Sequence, residues 1–336
     1  MNREQIDILL KAGRFPHPSL IETHISYVIL GNSLAYKFKK EIKYSFLDFS
    51  TLKKRKFYCE REVLLNNRFS KGVYLGVVAV RQDKKGITVD GPEGKIIDYA
   101  VKMKRLKSSN QMHRMLEKKQ VTRAHIQALA STIRRFHLHT DVIRAPFRPR
   151  TFSSRFNDLL SVSGFVKSVL GSSWDELIKN AVRLSDRFLK LHHDLFIKRI
   201  KMGFIRDCHG DLHSRNIFLY RKPILFDCIE FNDDFRKMDV LDEIAFFCMD
   251  LEAEGFYLLS KAFTDDYFHK DPGAFGPREQ MLFTYYKSYR ANVRAKVNAL
   301  RAMKAEGAQR KKYLDEVKKY LKLMDGYLET PIPKFQ

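Results

Sequence analysis

A chain of 336 residues, 44% hydrophobic and 12% aromatic, can bury a sizeable core, which excludes disordered, collagen-like and small disulfide-stapled classes. Its 62 Lys and Arg against 39 Asp and Glu give a net charge of +23, a bias toward polyanions, anionic membrane faces or anionic small substrates that carries no information about fold. The length fits two domains, or one domain of two lobes. Cys59, Cys208, Cys228 and Cys248 have no paired CxxC spacing and no secretory segment precedes them, so reduced thiols in a cytoplasmic protein are expected. Apolar runs such as 73–80 are far shorter than the roughly 20 residues of a membrane helix.

From Ile21 to Leu106 the pattern is mostly strand-like. SYVIL, a Gly31-Asn32 turn and LAYKFK read as a hairpin. A helix from about Ser50 to Phe69 interrupts the sheet, with Ser50 or Thr51 able to cap it, and further strands are expected at 73–80, around Ile87, and at 96–103. After Leu106 the chain reads as mostly helical. Ile126, Leu129, Ala130, Ile133 and Phe136 recur at helical spacing behind Thr122, and more helices are expected between Phe156 and Ile200. Two short apolar runs, Ile217 to Leu219 and Ile224 to Phe226, read as a buried hairpin before helices resume. The shift near residue 106 is the expected boundary, dividing the chain into an N-terminal lobe, 1–106, and a C-terminal lobe, 107–336, with a helical insert at about 151–201.

The sharpest chemical signal is CHGDLHSRN at 208–216, followed after a short strand by ILFD at 224–227. His209, Asp211 and Asn216 form HxDxxxxN. A loop held between buried strands can aim Asp211 at a hydroxyl, while Asn216 and Asp227 offer hard oxygen ligands to Mg2+. Phosphoryl transfer needs those roles, because its catalysis is chiefly positioning and electrostatics.

HGDLHSRN with ILFD resembles the catalytic loop and metal strand of the aminoglycoside phosphotransferase and choline kinase superfamily, and ETHISYVILGNSLAYKFKK, FLDFSTLKKRKFYCEREVLLN and ILFDCIEFNDDFRKMDVLDEIAFF look closest to an uncharacterised bacterial branch of it. The resemblance implies an α+β, bilobal protein-kinase-like fold: a small β-sheet N-lobe with one helix that binds the nucleotide, and a larger, mostly helical C-lobe that carries catalysis and the acceptor. It also implies ATP and Mg2+ as cofactors. By the same match Lys37, in Ala35-Tyr36-Lys37, grips the nucleotide phosphates and Glu62 is its ion-pair partner, with Lys39 and Glu60 as substitutes should the register be off by two. Phosphate cover is expected from Ser26 and backbone N–H groups of the 23–26 turn, which lacks GxGxxG. Adenine is expected near Met103 to Leu106. His209 and Asp239 are expected to be structural at the site, and Glu230 an accessory ligand.

About 70 residues separate the Ile126 to Phe136 helix from His209, and Cys-Ile-Glu rather than Phe-Gly follows Asp227, so a small acceptor is favoured over a protein. On the helix expected around 285–297, Lys287, Arg290 and Arg294 share a face. They are either a solvated charged face or an anion clamp in the acceptor pocket. The resulting expectation is an ATP-dependent kinase that transfers the γ-phosphoryl group to a hydroxyl of a small anionic substrate. An atypical protein kinase or nucleotidyl transferase on the same fold is the first alternative. A basic nucleic-acid-binding module on a kinase-like scaffold is the second, resting on charge alone.

Overall fold

The computed structural model describes residues 1–12, 15, 17–44 and 47–329; the last residues of the expected second lobe, 330–336, lie outside the described residues. In chain order the elements are α1 (Arg3–Lys11), β1 (Ser19–Glu22), β2 (Ser26–Leu30), β3 (Leu34–Lys39), β4 (Lys43–Tyr44), β5 (Leu47–Asp48), α2 (Leu52–Asn66), β6 (Tyr74–Asp83), β7 (Gly86–Val89), β8 (Lys95–Lys104) and α3 (Met112–Glu117). They continue with α4 (Arg123–His139), α5 (Pro149–Asn157), α6 (Ser163–Leu170), α7 (Ser172–Leu191), α8 (His193–Lys201), β9 (Ile205–Asp207), β10 (Ile217–Phe218), β11 (Ile224–Leu225), β12 (Lys237–Asp239), α9 (Val240–Ala253), α10 (Tyr257–Phe268), α11 (Pro277–Lys304) and α12 (Gly307–Glu329).

The chain forms two compact units, the first comprising Met1–Val121, His209–Asp211 and Arg215–Arg236. Its core is a six-stranded antiparallel sheet in the order β1-β2-β3-β8-β6-β7. Strand alternation sets what each face carries: along β3, Ala35, Lys37 and Lys39 share one face and Tyr36 and Phe38 the other. Phe38 packs with Ile29, Val80, Ile87 and Ala100 beneath α1 residues Ile6 and Leu9. On the opposite face Ala35, Val101 and Met103 pack with Cys59 of α2. Arg55 of α2 donates to Asp98 of β8 at 2.8 Å, a buried pair that fixes the helix along the sheet.

A division at residue 106 is not what packing produces. The unit runs to Val121 and takes in 209–211 and 215–236, because the β10–β11 hairpin is hydrogen-bonded to its neighbourhood: Leu219 N–H donates to the Asn110 carbonyl at 2.7 Å, and Ile224 and Phe226 lean on the Ala35–Met103 cluster. A boundary drawn from sequence composition has no access to such long-range pairings.

The second unit comprises Thr122–Cys208, Leu212–Ser214 and Lys237–Gln336, and its described residues are mainly helical, with the β9–β12 pair between α8 and α9. α4 begins with a capping box in which Thr122 accepts from the His125 N–H and the His125 ring accepts from the Thr122 N–H. The stretch expected as a helical insert holds α5 to α8. α9 is buried almost throughout, which requires that its carboxylates Asp242, Glu243, Asp250 and Glu252 find partners.

Thr51 caps α2 through an N–H donated by Lys54 at 3.3 Å. Thr51→Ala should cost about 1 kcal/mol, the usual worth of an N-cap side chain, read as a lowered midpoint in urea unfolding with an unchanged slope.

Candidate active site

The candidate site lies within the first unit, where three segments converge: β3, α2, and residues 209–211 with 215–230. Lys37 donates to Glu62 Oε1 at 2.7 Å and to Asp227 Oδ1 at 2.6 Å. Lys39, two residues further along the same strand face, donates to Glu62 Oε2 at 2.8 Å and to Glu230 Oε1. Five charges therefore alternate in sign, Asp227–Lys37–Glu62–Lys39–Glu230, with Glu62 at the centre giving one oxygen to each lysine. All are buried except Asp227, whose side chain is 40% exposed.

The register question posed by the sequence is answered by both lysines reaching one glutamate. Glu60 is no substitute. It lies on the solvent side of α2, beside Lys56. Glu230 is fully enclosed and held by Lys39, so it is not the accessory metal ligand that its position after Asp227 suggests.

Burial alone would lower the pKa of Lys37, but Asp227 and Glu62 raise it well above the ordinary lysine value. Burial would likewise raise that of Glu62, yet Lys37 and Lys39 outweigh it and hold the carboxyl at about 2. Glu230 goes the other way: burial raises its pKa above the ordinary value, Lys39 opposes, and the charge of Glu62 adds to the rise.

The 209–216 loop is stitched to the segment around Asp227. His209 Nε2–H donates to the Phe226 carbonyl at 3.0 Å, which leaves Nδ1 to accept the Asp211 N–H at 3.3 Å and fixes the tautomer. Phe226 N–H donates to the Asn216 carbonyl at 2.8 Å and Ile229 N–H to that of His209 at 3.2 Å. Asn216 Nδ2 donates to both the carbonyl and Oδ2 of Asp211 at 3.0 Å, orienting the carboxylate. Gly210 has φ +88°, and a Cβ there would meet the Phe235 carbonyl oxygen at 2.9 Å.

Asp227 occupies the left-handed region at φ +64°, a strained conformation that persists only when its surroundings hold it. Here they do. Its N–H donates to the Tyr74 hydroxyl at 3.2 Å, and the next N–H, of Cys228, donates to Asn66 Oδ1 at 2.9 Å. Asn66 is one helical turn beyond Glu62, and one residue before Glu62 the Arg61 guanidinium donates to the Glu230 carbonyl at 2.8 Å. One face of α2 thus grips 227–230. Tyr74 and Asn66 escaped the sequence reading; the i, i+4 spacing of Glu62 and Asn66 was the available signal for the second.

One nucleotide-site expectation is corrected, the phosphate cover from the 23–26 turn. In the 23–26 turn the N–H groups of Ile25 and Ser26 donate to Thr23 Oγ1 and that of Thr23 to the Ser26 carbonyl, while the Ser26 side chain is completely buried at the start of β2. Those donors are spent within the turn. Met103 is enclosed in β8 and serves as packing beneath Val28, Leu30, Leu106, Ile224 and Phe226, which are partly exposed.

In the second unit, Asp239 caps α9 by accepting the Leu241 N–H at 2.8 Å and pairs with the buried Arg199. Two of the three α11 cations, Lys287 and Arg290, are engaged by carboxylates inside the unit, which does not fit an anion clamp built on them. Lys287 donates to both oxygens of Glu252 at 3.0 and 3.1 Å, and Arg290 to Asp242 Oδ1 at 2.6 Å. Arg294 lies over Tyr320. Burial would raise the Asp250 pKa, but the charges of His213 and Arg294 hold it below its ordinary value. Asp250 in turn accepts the Ser214 N–H of the loop at 2.9 Å.

Solved structures share this architecture. A choline kinase from Cryptosporidium parvum Iowa II superposes with a TM-score of 0.55 at 12% identity over 98% of both chains. A thermostable mutant of an aminoglycoside phosphotransferase does so with a TM-score of 0.52 at 11% identity, over 98% of this chain and 99% of that one. The chain shares the fold of these two enzymes, an α+β protein-kinase-like fold. By sequence the chain is 31% identical over 290 residues to an uncharacterised protein of Mycobacterium tuberculosis, a stretch covering 85% of this chain and 55% of that protein. The chain spans about half the length of the curated relatives it matches. No family model matches it.

Two predictions follow from these pairings. A depressed carboxyl pKa contributes stability that is present above the unfolded value, near 4.5, and is lost as pH falls toward about 2. The stability gap between wild type and Glu62→Gln should therefore be full at pH 6 and shrink between pH 4.5 and 2 in denaturant titrations; a pH-independent gap would contradict the assignment. Arg290→Gln should leave Asp242 buried without its guanidinium and cost about 3–5 kcal/mol in chemical unfolding, whereas a solvated charged face would lose less than about 1 kcal/mol.

Proposed function

We propose that this chain is a small-molecule kinase that transfers the γ-phosphoryl group of Mg-ATP to a hydroxyl. The observation that carries the reading is the convergence of Lys37, Glu62, Asp227, Asn216 and Asp211 from three separated segments into one hydrogen-bonded site. The fold shared with a choline kinase and an aminoglycoside phosphotransferase supports it. With Lys287 and Arg290 paired internally, the proposal does not require an anionic acceptor.

Asp227 already holds a cation, the Lys37 ammonium, and with the Asn216 amide it offers the hard oxygen donors that Mg2+ takes. When bound, that ion would neutralise the nucleotide phosphates. Lys37 exchanges its Asp227 oxygen for phosphate oxygens while Glu62 keeps its side chain extended. The adenine ring fits the partly exposed apolar surface of Val28, Leu30, Leu106, Ile224 and Phe226. Asp211, oriented by Asn216, accepts the hydroxyl proton as the oxygen attacks phosphorus and the bond to the leaving ADP breaks. His209 and Gly210 keep the loop in the shape that makes this aim reproducible.

A screen of hydroxylated metabolites with Mg-ATP, read by ADP release and by 31P NMR of the product, tests the proposal. The expected result is at least one acceptor whose turnover falls by about 100-fold or more in Asp211→Asn, with ATP affinity near wild type. Equal turnover in the two proteins would remove Asp211 from the mechanism. Label appearing in protein from γ-labelled ATP, with no small acceptor found, would favour a protein kinase instead.

A further inference from the structure

We propose that Lys39 is a positioning residue, the fixed anchor of Glu62 that leaves Lys37 free to change partners; the inference rests on the kinase reading. The site's chemistry asks two incompatible things of one ammonium. Lys37 must be held by Glu62, and it must also move its other contact from Asp227 to the nucleotide phosphates. A glutamate held by Lys37 alone would shift whenever that lysine shifted.

In this chain the second Glu62 oxygen is held by a different lysine. Lys39 is completely buried, lies 4.8 Å from the Phe49 ring centroid, and is bound on its far side by Glu230. Glu230 cannot drift, since Arg61 of α2 holds its carbonyl and Lys39 its carboxylate. Glu62, Arg61 and Asn66 belong to one helix, so Lys39 closes a ring of contacts running from β3 through Glu230 to α2 and back to β3. Outside that ring Lys37, the mobile partner, touches the exposed carboxylate Asp227. For Glu62 to leave its position, two buried ammonium groups would have to give up a carboxylate together, which the low-dielectric interior opposes. α2 is therefore kept in its site-forming position by the protein itself, before any ligand arrives. It is not the element that ligands switch.

The test removes the anchor without leaving an unpaired buried charge, by combining Lys39→Met with Glu230→Gln, and measures Mg-ATP affinity by displacement of a fluorescent ATP analogue alongside thermal unfolding. The expected result is a double variant that unfolds cooperatively near the wild-type temperature yet binds Mg-ATP at least about tenfold more weakly, while Glu230→Gln alone stays within about threefold of wild type because Lys39 still holds Glu62. Should the double variant fail to fold, Lys39→Met alone is read the same way, with Glu230 taking up a proton. Wild-type affinity in the variant lacking Lys39, or a loss in Glu230→Gln as large as in the double variant, overturns the anchor and leaves the kinase reading intact. A wild-type protein that binds no Mg-ATP overturns both.

Discussion

Two lysines on one strand face and one glutamate on the facing helix impose the constraint from which the rest of the site follows. Burying an ammonium is expensive unless opposite charge meets it at hydrogen-bond distance, and here two are buried side by side. Neutrality then requires carboxylates between and beyond them, which Glu62, Glu230 and Asp227 supply. Since Asp227 and Glu230 are three residues apart, satisfying both lysines pins the segment between them against α2, and the hydrogen bonds of Asn66 and Tyr74 hold Asp227 in its left-handed conformation. The loop bearing Asp211 inherits that order through His209 and Asn216, both bonded to the backbone of Phe226.

Much of this arrangement was legible in the sequence because it depends on local periods. Alternation along LAYKFK puts Lys37 and Lys39 on one face whichever is chosen, which is why a two-residue ambiguity there turned out to be two answers to one question. The hairpin of β2 and β3, the extent of α2 and the HxDxxxxN loop are likewise written in short stretches. Legibility failed where a residue's role depends on a partner far away in sequence. Lys287 and Arg290 carry the spacing of a cationic helix face, but their partners Glu252 and Asp242 lie 35 and 48 residues earlier on α9. Ser26 looked like a phosphate donor because the turn lacks glycines, yet Thr23 collects the turn's own N–H groups. The boundary at 106 failed for the same reason, since the β10–β11 hairpin joins a unit whose sheet ends about a hundred residues earlier.

The paired α11 cations also change how the basic composition is understood. A net charge of +23 invites a polyanionic partner, but the cations with the most pointed spacing are structural counter-charges to a buried acidic helix. Asp250 on that helix accepts the Ser214 N–H, so the buried carboxylates of α9 are structural and not a solvated face. Charge counted along the chain and charge offered to a ligand are different quantities, and only the second bears on specificity.

Under the proposed function Lys37 is the nucleotide grip, held ready by Glu62 and Asp227. Isothermal titration of Mg-ATP into wild type and Lys37→Met tests it most directly, because the substitution removes the ammonium while Lys39 continues to hold Glu62. Affinity should be lower by at least about tenfold in Lys37→Met with the fold retained, the size expected for losing a charge-assisted contact to phosphate. Equal affinities in the two proteins would contradict it.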